Sequence, residues 1–180
     1  MTACCSGLDD PMPDLDARLR IVEAERSIAR ILHEYADFAD RRDWSAWKSL
    51  FDPESTHRHD RVYAGRSHDF AEIAATRFLE IGETQHLIGN VIVDVDIERG
   101  VAKSRCSFLA YHRIPPTVRQ ESRPKHIPGS DEVYVVGGRY LDRFALAAGA
   151  WKITHRQAVH DWEQWLTADV RGFEPDPDSR

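Results

Sequence analysis

Cysteine is scarce in this chain. Cys4 and Cys5 adjoin near one terminus and Cys106 stands alone, so no disulfide framework is expected and a reducing cytoplasm suits the sequence. Long hydrophobic runs are missing too, with nothing near the roughly 18 apolar residues that a membrane-spanning helix needs. The opening MTACCSGLDD lacks the basic region and apolar core of an export signal. A dense Lys/Arg face is absent as well: the formal net charge is -6, against the phosphate neutralisation required of a general nucleic-acid binder. Neither an internal repeat nor a low-complexity tract occurs.

What is present is ordinary for a globular protein, with 42% hydrophobic and 30% charged residues. A chain of 180 residues is most simply one domain, burying about 70% of the surface its unfolded form exposes. Residues 1–13, with Pro11 and Pro13, are expected to be a flexible leader. The domain is expected over 14–165, and 166–180 as a C-terminal tail.

From Asp14 onward Leu15, Leu19, Val22, Ile28, Ile31, Leu32, Tyr35 and Ala39 recur at three- and four-residue steps, one apolar stripe on a long helix ending near Arg41. Asp43 can cap a short second helix through Trp44, Trp47, Leu50 and Phe51, stopped by Pro53. STHRHDRVYAG has the alternation of a strand. Ser67 is expected to cap a third helix carrying Phe70, Ile73, Ala74, Phe78 and Ile81, with Gly82 as its stop.

The remainder is β-rich. TQHLIGNVIVDVDI and GVAKSRCSFLAYHRI flank the turn Glu98-Arg99-Gly100, and EVYVVGGRYLDRFAL and AWKITHRQAVHDWEQWL flank Ala148-Gly149, which predicts two long hairpins. Between them the 114–130 loop, with Pro115, Pro116, Pro124 and Pro128, is long enough to cover a pocket. This order predicts an α+β domain whose strongly bent, mixed or antiparallel sheet wraps around the long N-terminal helix, with two further short helices. Gly137 and Gly138 in mid-strand suit a bend or bulge.

The segment YADFADRRDW concentrates possible chemistry. Aligned peptide dipoles leave roughly half a negative charge at a helix C-terminus, so Asp37 and Asp40 occupy a place that disfavours carboxylates. On the helical wheel Asp37 lies about 200° from the inward Tyr35 and Asp40 about 140°, near enough to turn inward from a last helical turn. Asp37 is assigned to solvent and Asp40 to a possible site.

With YADFADRRDW, the stretches HLIGNVIVDV, GGRYLDRF and WKITHRQAVHDW carry a resemblance over about residues 18–165. The layout resembles the SnoaL-like branch of the nuclear transport factor 2-like superfamily. The pattern Gly137, Gly138, Tyr140 and Asp142, followed by a turn and Trp151, looks like that of γ-hexachlorocyclohexane dehydrochlorinases and bile-acid 7α-dehydratases. The resemblance implies a cone-shaped α+β barrel, a homo-oligomer (dimer or trimer) packed through the outer sheet face, and no cofactor. Asp40 and His86 fall where the dehydrochlorinases keep an Asp-His pair, and Tyr35 matches a site tyrosine of the dehydratases. Near Ala110, where related dehydratases place a further acid or histidine, this chain offers Ser107, Tyr111 and His112.

A histidine oriented by a carboxylate can remove a carbon-bound proton near neutral pH. The expectation is therefore a lyase of the dehydratase or dehydrohalogenase type, acting on a small cyclic or aromatic, largely apolar molecule. His86 would be its base, Asp40 would orient the base, and Tyr35 would stabilise developing charge. Alternatives are a ketosteroid-type isomerase or polyketide cyclase using the same site, and a non-catalytic ligand-binding or dioxygenase-small-subunit-like assembly domain.

His160, Asn90, Tyr140, Arg139, Tyr111 and Trp44 are candidates for holding substrate. Arg139 and Tyr140 alternate, so only one of them can face inward. His57 and His59 share a strand face, but a third ligand at telling spacing is missing, so they are assigned to the surface and no metal is expected. His33, His68 and His126 are assigned structural or exposed positions, and Cys106 a place in the core.

Overall fold

The computed structural model describes residues 14–119, 121 and 123–167. The expected leader over 1–13 and nearly all of the expected tail lie outside these residues. Helix α1 spans Leu15–Asp40, α2 Trp44–Ser49, β1 Phe51–His59, β2 Tyr63–Arg66, α3 Ser67–Phe78, β3 Thr84–Asp96, β4 Val101–Ile114, β5 Glu132–Ala147 and β6 Ala150–Thr167. Leu166 and Thr167 thus belong to the last strand rather than to a tail.

Helix α1 begins where the Asp14 carboxylate accepts a hydrogen bond from the Ala17 backbone N–H at 2.8 Å, satisfying one of the orphan donors of the first turn. Its buried stripe runs from Ala24 through Ile28, Ile31, Leu32, Tyr35 and Ala36 to Ala39. The stripe is shorter than its apolar periodicity, because Leu15, Leu19 and Val22 stay exposed. At the other end Arg42 donates to the carbonyls of Ile81 and Gly82, at 3.2 and 2.6 Å. That clamp holds the end of α1 beside the start of β3.

Three local expectations change. Helix α2 is capped by Asp43, which accepts from Ala46 N–H at 3.0 Å, but it ends at Ser49. Phe51 and Pro53 open β1 instead, Phe51 pairing in parallel with Ile153 of β6. Ser67 is the first helical residue of α3 rather than its cap, and Arg66 precedes it with no capping side chain. The same helix stops at Phe78, short of Gly82.

The six strands form one sheet in the order β2-β1-β6-β5-β4-β3, antiparallel except for the β1–β6 pair. It is mixed and curls around α1 into the expected cone, yet β2 and β3 are unpaired edges, so the barrel stays open. A register shift separates Gly137 from Gly138. A Cβ on Gly138 would sit 2.1 Å from the Val159 carbonyl and 2.8 Å from the Phe108 ring, so only glycine permits this close approach. The β5–β6 turn holds Ala148 at φ 50° and Gly149 at φ 81°, the left-handed pair that a tight hairpin needs.

Ile28, Leu32, Trp47, Phe144 and Ile153 fill the space between α1 and the sheet with 2% exposure or less. Burying each large apolar side chain contributes about 1.5–3 kcal/mol. Within this apolar core Arg156 and Asp142 form a sealed pair, two hydrogen bonds of 2.7 Å. The Arg156 guanidinium lies 3.8 Å from the Tyr35 ring centroid and 4.3 Å from that of Tyr140. The outer sheet face leaves Leu87, Leu141 and Trp162 exposed.

Candidate active site

The end of α1, the inner sheet face, α3 and the 115–131 loop enclose a cavity of about 180 Å³. Its wall is mostly apolar. Phe70, Ile73, Ala74 and Phe78 of α3 face Phe108, Ala110 and Val136 of the sheet across it. Alternation along a strand puts every second residue on the inner face, and the polar exceptions on that face are mostly histidines and tyrosines.

His86, second residue after Thr84 on β3, lines this cavity. Its Nδ1 lies 2.6 Å from Asp40 Oδ1, and because a carboxylate only accepts, Nδ1 carries the hydrogen. The His86 backbone N–H donates to Asp40 Oδ2 at 2.8 Å, and the Thr84 hydroxyl to Oδ1 at 2.8 Å. Burial works against a charged Asp40, but the bonds and charge of His86, with help from Thr84, outweigh it and hold the carboxyl below its usual range. The arrangement fixes the imidazole ring and its tautomer, leaving Nε2 as the basic nitrogen.

Tyr35, Trp44, Tyr140 and His160 also line the cavity. Burial raises the Tyr35 phenol above its ordinary range, even though Arg156 opposes the shift. Tyr35 therefore stays protonated at neutral pH and able to donate. Tyr140 points inward while Arg139 points out and forms two hydrogen bonds with Asp161, at 2.9 and 2.7 Å. The candidacy of Arg139 is thereby corrected. Tyr111 is also corrected, since it lies exposed on the opposite face from Ala110 and His112. Asn90 occupies an irregularity in the β3–β4 pairing with φ 50° and an exposed side chain. There it meets the bend in the strand rather than the cavity.

The histidines of β1 require the largest correction. Instead of lying at the surface, His57 is buried and stacks on Phe70 with ring centroids 4.1 Å apart, and His59 stacks on the same ring at 4.9 Å. His59 lines the cavity, as does His112 of β4, whose ring stands edge-on to His86 at 5.2 Å. Burial, then the neighbouring His160, pushes His59 down to about 3. Burial, then His86, does the same to His112. Both are neutral at physiological pH, and each has a buried Nδ1 without a partner. Among the described residues no three His, Cys, Asp or Glu side chains converge to hold a metal.

Arg77 of α3 and Arg123 of the loop complete the polar wall. Sequence patterning did not single them out, because an arginine in a helix's last turn or in a proline-rich loop usually meets only solvent. His59 was legible only through its spacing from His57. His112 was legible as a neighbour of Ala110, two residues along the same strand face.

A family model described as the SnoaL-like domain matches residues 20–157. No curated protein sequence matches the chain. Among solved structures, a proposed scytalone dehydratase from Novosphingobium aromaticivorans is 19% identical. The alignment covers 91% of this chain and 99% of that one, with a TM-score of 0.68. A type 2 hexachlorocyclohexane dehydrochlorinase (LinA) is 12% identical, covering 88% and 98%, with a TM-score of 0.70. The β subunit of a proposed aromatic-ring-hydroxylating dioxygenase from N. aromaticivorans is 18% identical, covering 79% and 92%, with a TM-score of 0.56. At these identities the likeness is one of fold.

Proposed function

The chain belongs to the SnoaL-like domain family, and on that premise we propose that it is a cofactor-independent lyase eliminating water or a halide from a small, largely apolar cyclic molecule. One observation carries the reading. His86 is fixed through Nδ1 by a carboxylate that accepts from three donors, and the same ring faces an apolar cavity large enough for a ring-sized ligand.

The chemistry follows from that placement. His86 Nε2 takes a proton from carbon, the electron pair forms the new double bond, and the leaving group departs from the neighbouring carbon with its own pair, as halide or, on collecting the proton from the His86 imidazolium, as water. Asp40 stabilises the imidazolium that forms, as a half-buried, hydrogen-bonded carboxylate does. The protonated Tyr35 donates a hydrogen bond to the leaving group or to a developing oxyanion. Structural relatives described as a dehydratase and a dehydrochlorinase support elimination over other reactions.

A ketosteroid-type isomerase or a polyketide cyclase would use the same proton abstraction. The dioxygenase β subunit among the relatives favours a second reading, an assembly domain without chemistry of its own. A panel of cyclic alcohols and halides, followed by mass spectrometry, separates these readings. Elimination predicts products lighter by water or hydrogen halide, whereas isomerisation predicts unchanged mass. His86→Ala should lower kcat by roughly 10²–10⁴ while the fold persists. Unchanged turnover in that variant would remove His86 from the reaction, and a silent panel would favour the assembly reading.

A further inference from the structure

Several arginines of the molecule meet acids. Arg30 pairs with Glu34, Arg41 with Asp37, Arg113 with Asp131, Arg139 with Asp161 and Arg156 with Asp142. The two arginines on the cavity wall do not. Neither Arg77 nor Arg123 takes part in an ion pair among the described residues, although both line the cavity. Their charges also act on one another: burial first, and then the charge of Arg77, lowers the Arg123 pKa from its ordinary value. Glu80 acts on Arg123 only from a distance.

Arg77 is exposed and Arg123 half-buried, and two like charges on one cavity wall repel, more strongly where the wall excludes water. Arg123 adds a second deficit. Its Nε is buried with no hydrogen-bond partner, and an unpaired buried donor costs the desolvation of that group. An anion with two acceptor oxygens would relieve both. A carboxylate fits, because its oxygens match the planar guanidinium fork, and an Arg–carboxylate pair gains from geometry as well as charge. The remaining wall is apolar, with Phe70, Ile73, Phe78 and Val136 positioned to take a ring.

We propose that this cavity binds a ring-bearing carboxylate, its ring against Phe70 and Phe78 and its carboxylate on Arg123, with Arg77 as a second cation at the rim. The loop between β4 and β5 is then a specificity element rather than a simple cover. The carboxylate's end of the cavity adjoins His112, which feels the charge of Arg123 and has a buried Nδ1 without a partner, and His86 stands one ring beyond. That the ligand is a substrate rests on the reaction proposed for His86. Its binding does not.

The test therefore reads binding without turnover. Benzoate and benzamide share a ring and differ in charge, and each is titrated calorimetrically into the full-length protein at low salt. Benzoate should bind at least about tenfold more tightly than benzamide, as expected of a charge-assisted bidentate contact. Arg123→Met should abolish that preference, Arg123→Lys should keep part of it, and Arg77→Met should weaken it less. The exposed Arg139→Ala should match the parent. Added salt should weaken benzoate and spare benzamide, which decides the matter even if Arg123→Met does not fold. Equal affinity for the two compounds, no detectable benzoate binding at millimolar concentration, or a preference unchanged in Arg123→Met would overturn the proposal. None of these outcomes touches the His86 reading, which stands or falls on turnover.

Discussion

Among the described residues are two carboxylate–histidine pairs of nearly equal geometry and very different surroundings. Asp40 and His86 lie 2.6 Å apart, with side chains 22% and 9% exposed. Glu132 and His126 lie 2.5 Å apart, with side chains 3% and 0% exposed. In the first pair the imidazole lines the cavity. In the second, His126 Nε2 is buried without a partner, and Glu132 also accepts the Ile127 backbone N–H at 2.9 Å. The sealed pair pins the end of the loop that carries Arg123, since His126 N–H donates to the Arg123 carbonyl at 2.9 Å. A histidine bonded to an acid is thus no site by itself. Access to its other nitrogen makes the difference.

Matched amide substitutions should split the two pairs most sharply. Asp40→Asn keeps an acceptor for Thr84 but loses the charge that stabilises an imidazolium, so kcat should fall about a thousandfold with little change in urea unfolding. Glu132→Gln should do the reverse, costing about 2–4 kcal/mol because a buried partner is left uncompensated. Any kinetic change there should appear in KM, through the loop that carries Arg123. If both variants lose activity to the same extent and keep their stability, the distinction between the pairs fails.

Acid should expose the cavity's neutral histidines next. His59 and His112 stay unprotonated when folded until about pH 3 but take up protons near 6.5 when unfolded. The unfolded chain therefore binds more protons between these values. Stability should be fully present above about pH 6.5 and fall as pH drops, by about 1.4 kcal/mol per pH unit for each histidine. Urea midpoints at pH 7, 6 and 5 measure this, and a flat series would show that the rings are solvated. The smallest effect belongs to the outer face. Arg139→Ala removes an exposed pair with Asp161, so neither the unfolding midpoint nor kcat should move measurably.

The elements were mostly legible because the segments that carry a regular period are long. The recurrence from Ile28 to Ala39 marks one buried face of α1, and the two hairpins announce themselves by turns that demand positive φ at Gly100 and Gly149. The errors fall at short range. Phe51 continues the apolar spacing of α2, yet parallel pairing with Ile153 draws it into β1. Asn90 occupies a strand whose alternation shifts at an irregularity, so counting by twos misassigns its face.

Candidate site residues show the same division. Tyr35, Asp40 and His86 were legible from a helix end, a misplaced carboxylate and a family pattern. His59 and Arg123 were not. In sequence His59 sits in a polar stretch that reads as solvent-facing, and only the packing of α3 over β1 stacks it on Phe70.

By itself, then, the sequence determined the long helix, the hairpins and the α+β class, because periodicity and turn chemistry are local properties of the chain. It also marked Asp40 and His86 as a possible pair. Tertiary structure alone decided that the pair meets, and which histidine rings line a cavity. It also left two arginines there without acids. Those are relations between residues far apart in the chain, 46 positions for Asp40 and His86, and no local pattern encodes the distance at which such groups come to rest.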